Sequence, residues 1–281
     1  MSDWRPRLIA SDMDETFLDH DHAIPRANVE AVRRLHELGI PFVPSSGRPY
    51  DSVMSSLEPI RDLLEGSYVI SFNGGTINRV GDPNPIASSP MDFDRMRAIF
   101  EYGLGLGDVG FHVYEQTGRM WVWNLSAGEF DYISRLIDFD DLPSASIDFL
   151  RDTPVAKIIF NHPDMARLRQ IVRDMPAELL DGVDTTFSSG RFLEFMPAGV
   201  TKGTGVAKLA ELLGIPMSDV ICCGDAANDE PMVRAAGLGV AVAGAGDGLP
   251  QVADYNASST CDDGVIAEVV EKFVEPSPHL G

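Results

Sequence analysis

Two acidic residues follow a short apolar run near the start of the chain, and three groups of polar residues complement them later. Asp12 and Asp14 belong to the string at 11–16 that follows the apolar residues 8–10. The later groups are Ser46-Gly47-Arg48, Lys202 and the acidic string at 224–229. Phosphoryl transfer needs positioning and neutralisation of the phosphoryl oxygens, which a metal, a lysine and a hydroxyl supply. The four groups together predict an acid-rich site for metal-dependent phosphoryl transfer.

These residues follow predicted strands that belong to one sheet. Asp12 and Asp14 follow the first strand, Ser46 the second and Asp225 the strand at 220–223. In an open parallel sheet, ligands bind beyond the carboxyl ends of the strands, so these side chains are expected at one edge. Clustered carboxylates repel one another unless a cation lies among them, and hard oxygen ligands suit Mg²⁺. Lys202 would add a second positive charge.

Short apolar strands alternate with amphipathic helices at both ends of the chain. Periodicity, proline and glycine predict strands at 7–11, 40–44, 68–72, 220–223 and 238–242, and helices at 25–39, 50–57 and 204–213. Strands that alternate with helices indicate a parallel sheet. The predicted fold class is therefore α/β, with a Rossmann-like doubly wound parallel-sheet core.

The pattern changes between residues 83 and 191. A linker-like cluster at 81–85 opens the segment, and residues 111–114 and 120–123 alternate as an antiparallel hairpin with its turn at 116–119. The sequence thus predicts a catalytic core of residues 1–82 and 192–281, with an inserted α+β cap domain at 83–191 that selects the substrate.

Composition excludes several classes of protein. The 281 residues carry a formal charge of -21, so nucleic acid and anionic membranes are not expected as partners. The three cysteines are an odd number, and Cys222 and Cys223 are neighbours in an apolar run, which favours core packing over a disulfide framework. No apolar run approaches the ~20 residues that span a bilayer, so a cytoplasmic location is expected. Composition leaves the oligomeric state open.

The motifs resemble those of the haloacid dehalogenase (HAD) superfamily, specifically its Cof-type, sugar-phosphatase-like branch with a C2 cap. The resemblance covers essentially the whole chain, with the motifs in the expected order. It implies that Asp12 is the nucleophile that forms an aspartyl-phosphate, and that Asp14 is the general acid and base. Ser46 and Gly47 match the hydroxyl and the backbone amide that hold the phosphoryl group.

The same resemblance assigns the residues of the second half of the chain. Lys202 matches the lysine that screens the nucleophile and the phosphate. Asp225 matches a carboxylate that binds the Mg²⁺ cofactor, together with Asp12 and Asp14. Asn228 is implied to contact the phosphate, and Asp229 to support the metal shell or orient the lysine.

Two positions depart from the pattern of this branch. Glu15 stands where glycine is most often found, which adds a carboxylate near the metal. Gly244 stands where asparagine is usual, which weakens the expectation of a substrate contact from that loop.

Some residues have a functional and a structural interpretation. Arg48, Asn73 and Lys157 are candidate substrate contacts. Asn73-Gly74 is equally a hairpin-turn signal, and Lys157 is better explained as an edge-strand or snorkelling lysine. The six histidines lack metal-ligand spacing, and His20 and His22 are interpreted as surface residues.

The predicted function is a Mg²⁺-dependent phosphatase that hydrolyses small phosphorylated metabolites, such as sugar phosphates, through an aspartyl-phosphate. Two alternatives stay open on sequence alone. A phosphosugar mutase would use the same Asp14 to activate a sugar hydroxyl instead of water. A non-catalytic phosphate-binding scaffold is disfavoured because the nucleophile, the lysine and the metal carboxylate are all present.

Overall fold

The structure is a computed structural model that describes residues 4–135, 137–246 and 248–275. The strands in chain order are β1 (Leu8–Asp12), β2 (Phe42–Ser45), β3 (Tyr68–Ser71), β4 (Thr76–Arg79), β5 (Pro85–Ser88), β6 (Gly110–Glu115), β7 (Met120–Trp123), β8 (Asp140–Asp141), β9 (Val155–Asn161), β10 (Val183–Ser188), β11 (Phe192–Pro197), β12 (Val220–Gly224), β13 (Leu238–Ala241) and β14 (Tyr255–Asn256). The α-helices are α1 (Arg26–Leu38), α2 (Tyr50–Leu57), α3 (Phe93–Leu106), α4 (Ala127–Ile133), α5 (Met165–Asp174), α6 (Lys202–Leu213), α7 (Glu230–Ala235) and α8 (Val265–Val269).

The chain divides into two compact units. The first comprises Met1–Ala87 with Thr201–Gly281, and the second comprises Ser88–Val200. These divisions lie after the predicted ones at 82/83 and 191/192. The second division is displaced because β11 pairs with both β10 and β9, which keeps that strand in the sheet of the second unit.

The first unit contains a sheet in the order β14-β13-β12-β1-β2-β3-β4-β5. The pairs from β14 to β3 are parallel, and β4 is antiparallel to β3. Both faces are covered: Ile9 belongs to an apolar cluster with α1, α2 and α8, while Leu8 and Ala10 pack with α6 and α7. Burial on both faces explains why β1 is a continuous apolar run. The predicted α/β fold with a doubly wound parallel core is confirmed.

Local sequence signals set the helix ends of this unit. Gly39 ends α1 with a φ of 68°, a conformation that glycine adopts without a steric penalty. Thr201 caps α6 in a reciprocal capping box with Thr204. Helix α6 therefore begins two residues before the predicted start at 204, and Lys202 is its first residue.

The second unit contains a sheet in the order β10-β11-β9-β6-β7-β8. Its pairs are antiparallel except β7 with β8, and the predicted hairpin of residues 111–123 is confirmed as β6 and β7. Helices α3 and α5 contribute to an apolar cluster with one face of this sheet, which includes Phe111, Phe160 and Phe195.

Lys157 lies in the interior of this second sheet. Strand β9 is flanked by β11 and β6, so the edge-strand interpretation of Lys157 is wrong. Its ammonium lies 2.7 Å from Glu194 Oε2 on β11 and 5.2 Å from the ring centroid of Tyr114 on β6. A partly buried lysine is tolerated here because a carboxylate on the adjacent strand neutralises it.

The cysteines are free thiols. Cys222 and Cys223 are fully buried in β12, and burial raises the pKa of Cys223 to about 12, so this thiol is inert at neutral pH. Within the described ranges, no helix combines the length and the apolar character that crossing a membrane requires.

The turn between β3 and β4 packs against the start of α6. Gly74 has a φ of 99°, and a Cβ atom there would lie 2.2 Å from the carbonyl oxygen of Thr201. A Cβ on Gly205 would lie 2.7 Å from the Cα of Gly74. Two glycines thus allow a backbone contact that places the first turn of α6, and with it Lys202.

Gly74→Ala is expected to lower the free energy of unfolding by about 2–5 kcal/mol, because a positive φ and a steric clash add together. Urea unfolding followed by circular dichroism measures this loss. Gly39→Ala is the matched control: it shares a positive φ of 68°, but no described atom lies within 4 Å of a Cβ there. The free energy of unfolding of this control should fall by only about 1–2 kcal/mol. Equal losses in the two variants would contradict the proposed close contact.

Candidate active site

Charged side chains meet where β1 and β12 end. Asp12 is the last residue of β1, and Asp225 follows β12. The two strands are parallel neighbours, with Ser11 beside Cys223, so both end at the same edge of the sheet. Lys202 donates hydrogen bonds to Asp12 and to Asp229, with 2.6 Å between Nζ and Oδ1 of Asp229. The structure thus brings together residues that are far apart in the sequence: Asp229 follows Asp12 by 217 positions.

This cluster is removed from solvent. Lys202 is 1% exposed, Asp229 is fully buried and Asp12 is 7% exposed. Burial alone would lower the pKa of Lys202, but Asp12 and Asp229 raise it above its usual value. Burial raises the pKa of Asp12 well above the ordinary range; Lys202 opposes this, while Asp229 and Asp225 add to it. The site therefore carries more negative charge than its lysine neutralises.

The donor set of the cluster suits a divalent cation. One carboxylate oxygen each from Asp12, Asp225 and Asp229 lies within 4.8 Å of the others. Three carboxylates face one ammonium, so a divalent cation would neutralise the remaining charge. An all-oxygen set is typical of hard cations such as Mg²⁺, which therefore fits these residues.

Backbone groups and a hydroxyl fix the carboxylates of this cluster. Asp229 Oδ2 accepts hydrogen bonds from the amides of Asp225 and Ala226, at 3.0 and 3.1 Å. A Cβ on Gly224 would lie 2.4 Å from the Cβ of Asp229, so glycine is needed for this close approach. Thr16, fully buried, donates to Asp225 Oδ1 at 3.1 Å. The role of Thr16 was not predicted, although a threonine directly after the acidic motif is a signal that could have found it.

The loop after β2 forms a second wall of the site. Ser45 lies beside Asp12 in the sheet register, and Ser46 follows it with 2% exposure. Ser46 Oγ accepts the amide hydrogen of Arg48 at 3.1 Å. Because parallel strands end together, the predicted phosphate-binding residues Ser46 and Gly47 lie at the same edge as Asp12.

Asn73 packs against this loop. The backbone nitrogen of Asn73 donates to the carbonyl oxygen of Ser46 at 2.9 Å. A Cβ on Gly47 would lie 3.2 Å from the side-chain amide of Asn73. Asn73 Oδ1 is buried and has no hydrogen-bond partner among the described residues. Asn73-Gly74 is therefore a turn between β3 and β4 that brings a polar side chain to the Ser46 loop, and a substrate contact from Asn73 stays a prediction.

The Asp14 carboxylate lies apart from the acidic cluster. Both of its oxygens accept hydrogen bonds from the Arg48 guanidinium, with 2.9 Å between Nε and Oδ2, and His22 Nδ1 lies 3.3 Å from Oδ1. Asp229 supplies the third carboxylate of the cluster instead. Binding of the metal by Asp14 stays a prediction, and Arg48, a predicted substrate contact, is engaged by Asp14.

The remaining predicted positions are dispersed. Glu15 is exposed and has a φ of 57°, in the left-handed region where glycine has no Cβ penalty, which explains why glycine suits this position. Gly244 also has a positive φ, of 89°. Asn228 is exposed in a short 3₁₀ turn after β12. Lys157 belongs to the second unit.

Known proteins similar to this chain include two named phosphatases and one hydrolase of solved structure. HMP-PP phosphatase of Enterobacter sp. is 28% identical over 255 residues, which cover 88% of this chain and 86% of that protein. Phosphoglycolate phosphatase of Methanothermobacter thermautotrophicus is 27% identical over 273 residues, which cover 95% of this chain and 99% of that protein. The crystal structure of a haloacid dehalogenase-like hydrolase from Bacteroides thetaiotaomicron matches with a TM-score of 0.81 and 25% identity, covering 95% of this chain and 99% of that chain.

The family is shown by a match over almost the whole sequence. The model of the family described as haloacid dehalogenase-like hydrolase matches residues 9–269, which include every charged residue of the cluster. The chain therefore belongs to the haloacid dehalogenase-like hydrolases.

Proposed function

We propose that this hydrolase is a Mg²⁺-dependent phosphatase that cleaves small phosphorylated metabolites, sugar phosphates among them, through an aspartyl-phosphate. The observation that carries the proposal is the buried contact of Lys202 with Asp12 and Asp229 at the edge where Ser46 and Asp225 also lie. Two relatives that are named for different substrates both carry the name phosphatase, which supports the reaction class.

Asp12 is the proposed nucleophile. A carboxylate oxygen of Asp12 attacks phosphorus, the bond from phosphorus to the leaving oxygen breaks, and the alcohol departs with a proton. Water then attacks the aspartyl-phosphate, which releases inorganic phosphate and restores the carboxylate. Lys202 holds Asp12 at the strand end, and its ammonium would also face the incoming phosphoryl oxygens.

Asp14 is the proposed proton donor and acceptor. It would protonate the leaving oxygen in the first step and accept a proton from water in the second. Its carboxylate pairs with Arg48 in this structure, so at least one oxygen must turn from Arg48 toward the reacting group. Arg48 is thereby proposed to hold the acid near the site between turnovers.

The phosphoryl group is proposed to lie among Ser46, Gly47, Lys202 and Asn228. Ser46 Oγ accepts a backbone hydrogen bond, which leaves its own hydrogen to donate to a phosphoryl oxygen. Asp12 and Asp225 would hold Mg²⁺, with Asp229 or Asp14 as the third carboxylate. When bound, the cation neutralises charge on the phosphoryl oxygens.

Substrate selection is proposed to reside in the second unit, residues 88–200. The proposed reacting groups all belong to the first unit, so the chemistry requires nothing from the second. A separate unit is free to vary while the catalytic residues stay the same, which accounts for relatives that act on different esters.

Phosphate release from a panel of sugar phosphates, nucleotides and phosphorylated cofactors tests the proposal. At least one small ester should be hydrolysed with kcat/KM of about 10⁴ M⁻¹s⁻¹ or more. Chelation with EDTA should abolish release, and added Mg²⁺ should restore it. A lack of release from every ester with Mg²⁺ present would contradict a phosphatase. Transfer between sugars that requires a bisphosphate would identify a mutase instead.

A further inference from the structure

A second group of side chains of the types that bind metals lies outside the acidic cluster of Asp12, Asp225 and Asp229. His20 lies in the loop that leads from β1 to α1, and Cys261 and Asp262 lie in the turn before α8. His20 and Cys261 are 241 positions apart in sequence. Sequence spacing could not reveal this group, and the interpretation of His20 as a simple surface residue misses its neighbours.

The three ligand atoms are close enough to share one ion. His20 Nδ1 lies 2.9 Å from Asp262 Oδ1 and 3.4 Å from Cys261 Sγ, and this sulfur lies 3.9 Å from Asp262 Oδ1. In a tetrahedral zinc site with ordinary bond lengths, two ligand atoms are separated by about 3.3–3.6 Å. The observed separations bracket this range, so small side-chain rotations would place the three atoms on one face of a tetrahedron.

The chemistry of the ligands differs from that of the acidic cluster. Imidazole nitrogen and thiolate sulfur select borderline metals such as Zn²⁺, whereas an all-carboxylate set suits Mg²⁺. Cys261 is 3% exposed, while the side chains of His20 and Asp262 are 63% and 57% exposed. Because two of the three ligands are more than half exposed, solvent can reach the metal position.

We propose that His20, Cys261 and Asp262 form a binding site for Zn²⁺, with water as the fourth ligand. Binding forms a bond between Cys261 sulfur and the metal and breaks the S–H bond, whose proton goes to solvent. The ion would connect the loop after β1 to the turn before α8. These two segments of the first unit are far apart in the sequence.

Titration with Co²⁺ tests this site, because a thiolate bound to Co²⁺ produces an absorption band in the near ultraviolet. The full chain is reduced, freed of metal and held in excess Mg²⁺ to occupy the acidic cluster. One equivalent of Co²⁺ should produce the band, and Zn²⁺ should remove it. Zn²⁺ should also raise the Tm by a few degrees, since it binds the folded state.

Variants assign the signal to the proposed ligands. Cys261→Ser should lose the band, and His20→Ala should weaken Co²⁺ binding at least tenfold. His36→Ala replaces an exposed histidine of α1 and should retain the band, as should Asp225→Asn in the acidic cluster. If Cys261→Ser does not fold, the exposed His20→Ala and Asp262→Asn variants still report on the site.

The proposal is overturned if wild type shows no thiolate band up to millimolar Co²⁺, or if the band survives Cys261→Ser. It is also overturned if His20→Ala and His36→Ala bind Co²⁺ equally well. Because every readout is metal binding or melting, failure here is separate from failure of the proposed phosphatase activity.

Discussion

Asp12→Asn is expected to reduce turnover of any phosphate ester that the wild type hydrolyses by at least about a thousandfold. The amide has almost the shape of the carboxylate, but its oxygen is a poor nucleophile toward phosphorus. Steady-state phosphate release measures the loss. Acid-quenched wild-type protein should carry a phosphoryl group during turnover, and the variant should carry none.

The stability of this variant separates a chemical defect from a folding defect. Lys202 keeps its contact with Asp229 when Asp12 is neutralised, and the variant has one carboxylate less in a cluster with excess negative charge. We therefore expect the free energy of unfolding to stay within about 1 kcal/mol of wild type. Asp62→Asn, at an exposed position of the same unit, is the control and should keep wild-type turnover. An Asp12→Asn enzyme that retains wild-type kcat would disprove the covalent mechanism.

Lys202→Met is expected to damage both stability and turnover. The ammonium is 1% exposed, and its removal leaves Asp12 and Asp229 buried without a cation. Breaking such a buried pair costs about 3–5 kcal/mol of unfolding free energy. Loss of a charge that faces the phosphoryl group should lower kcat by at least about a hundredfold. Urea unfolding without metal and phosphate release with saturating Mg²⁺ measure the two effects.

The loss of unfolding free energy in Lys202→Met is expected to depend on pH in one direction. The pKa of Asp12 already lies well above its usual value, and removal of Lys202 takes away a group that lowers it. A carboxyl group with a raised pKa in the folded state destabilises the fold when ionised, and this penalty disappears as the pH falls through the folded pKa. The difference in unfolding free energy between variant and wild type should therefore be smaller in acid than at neutral pH.

Another lysine of the same helix provides the matched control. Lys208 on α6 is half-exposed and pairs with Glu211 at 2.9 Å. Lys208→Met should change the unfolding free energy by at most about 0.5 kcal/mol, because surface ion pairs contribute little. Comparable losses for Lys202→Met and Lys208→Met would contradict the role assigned to the buried lysine.

Local sequence signals were sufficient to predict most of the strands and helices that position the candidate site, and to predict the edge of the sheet where this site lies. The predicted helix at 50–57 has the bounds of α2, and the predicted strands of the first unit lie within two residues of those observed. These predictions succeed because periodicity, glycine and proline act within one turn or one strand. The Thr201 capping box was missed, because its two threonines precede the apolar positions from which the start of α6 was predicted.

Predictions were less successful where they depended on which distant strands lie side by side, because the pattern of one strand carries no information about its neighbours. Lys157 was interpreted as an edge-strand or snorkelling lysine. Its own strand pattern does not show which strands flank β9, and its partner Glu194 lies 37 residues away. The boundary predicted at 191 differs from the division of the two compact units after Val200, because β11 is an apolar strand that could join either sheet on its pattern alone.

By itself, the sequence determined the order of strands and helices, and with it the side of the sheet on which Asp12, Ser46 and Asp225 lie. Parallel strands end together whatever their separation in the chain, so topology alone brings these residues to one edge. Only the tertiary structure decided the partner of each side chain: Asp14 with Arg48, Asp229 with Lys202, and His20 with Cys261. These pairings depend on the direction in which each turn points its side chains, and no periodicity in the sequence encodes that direction.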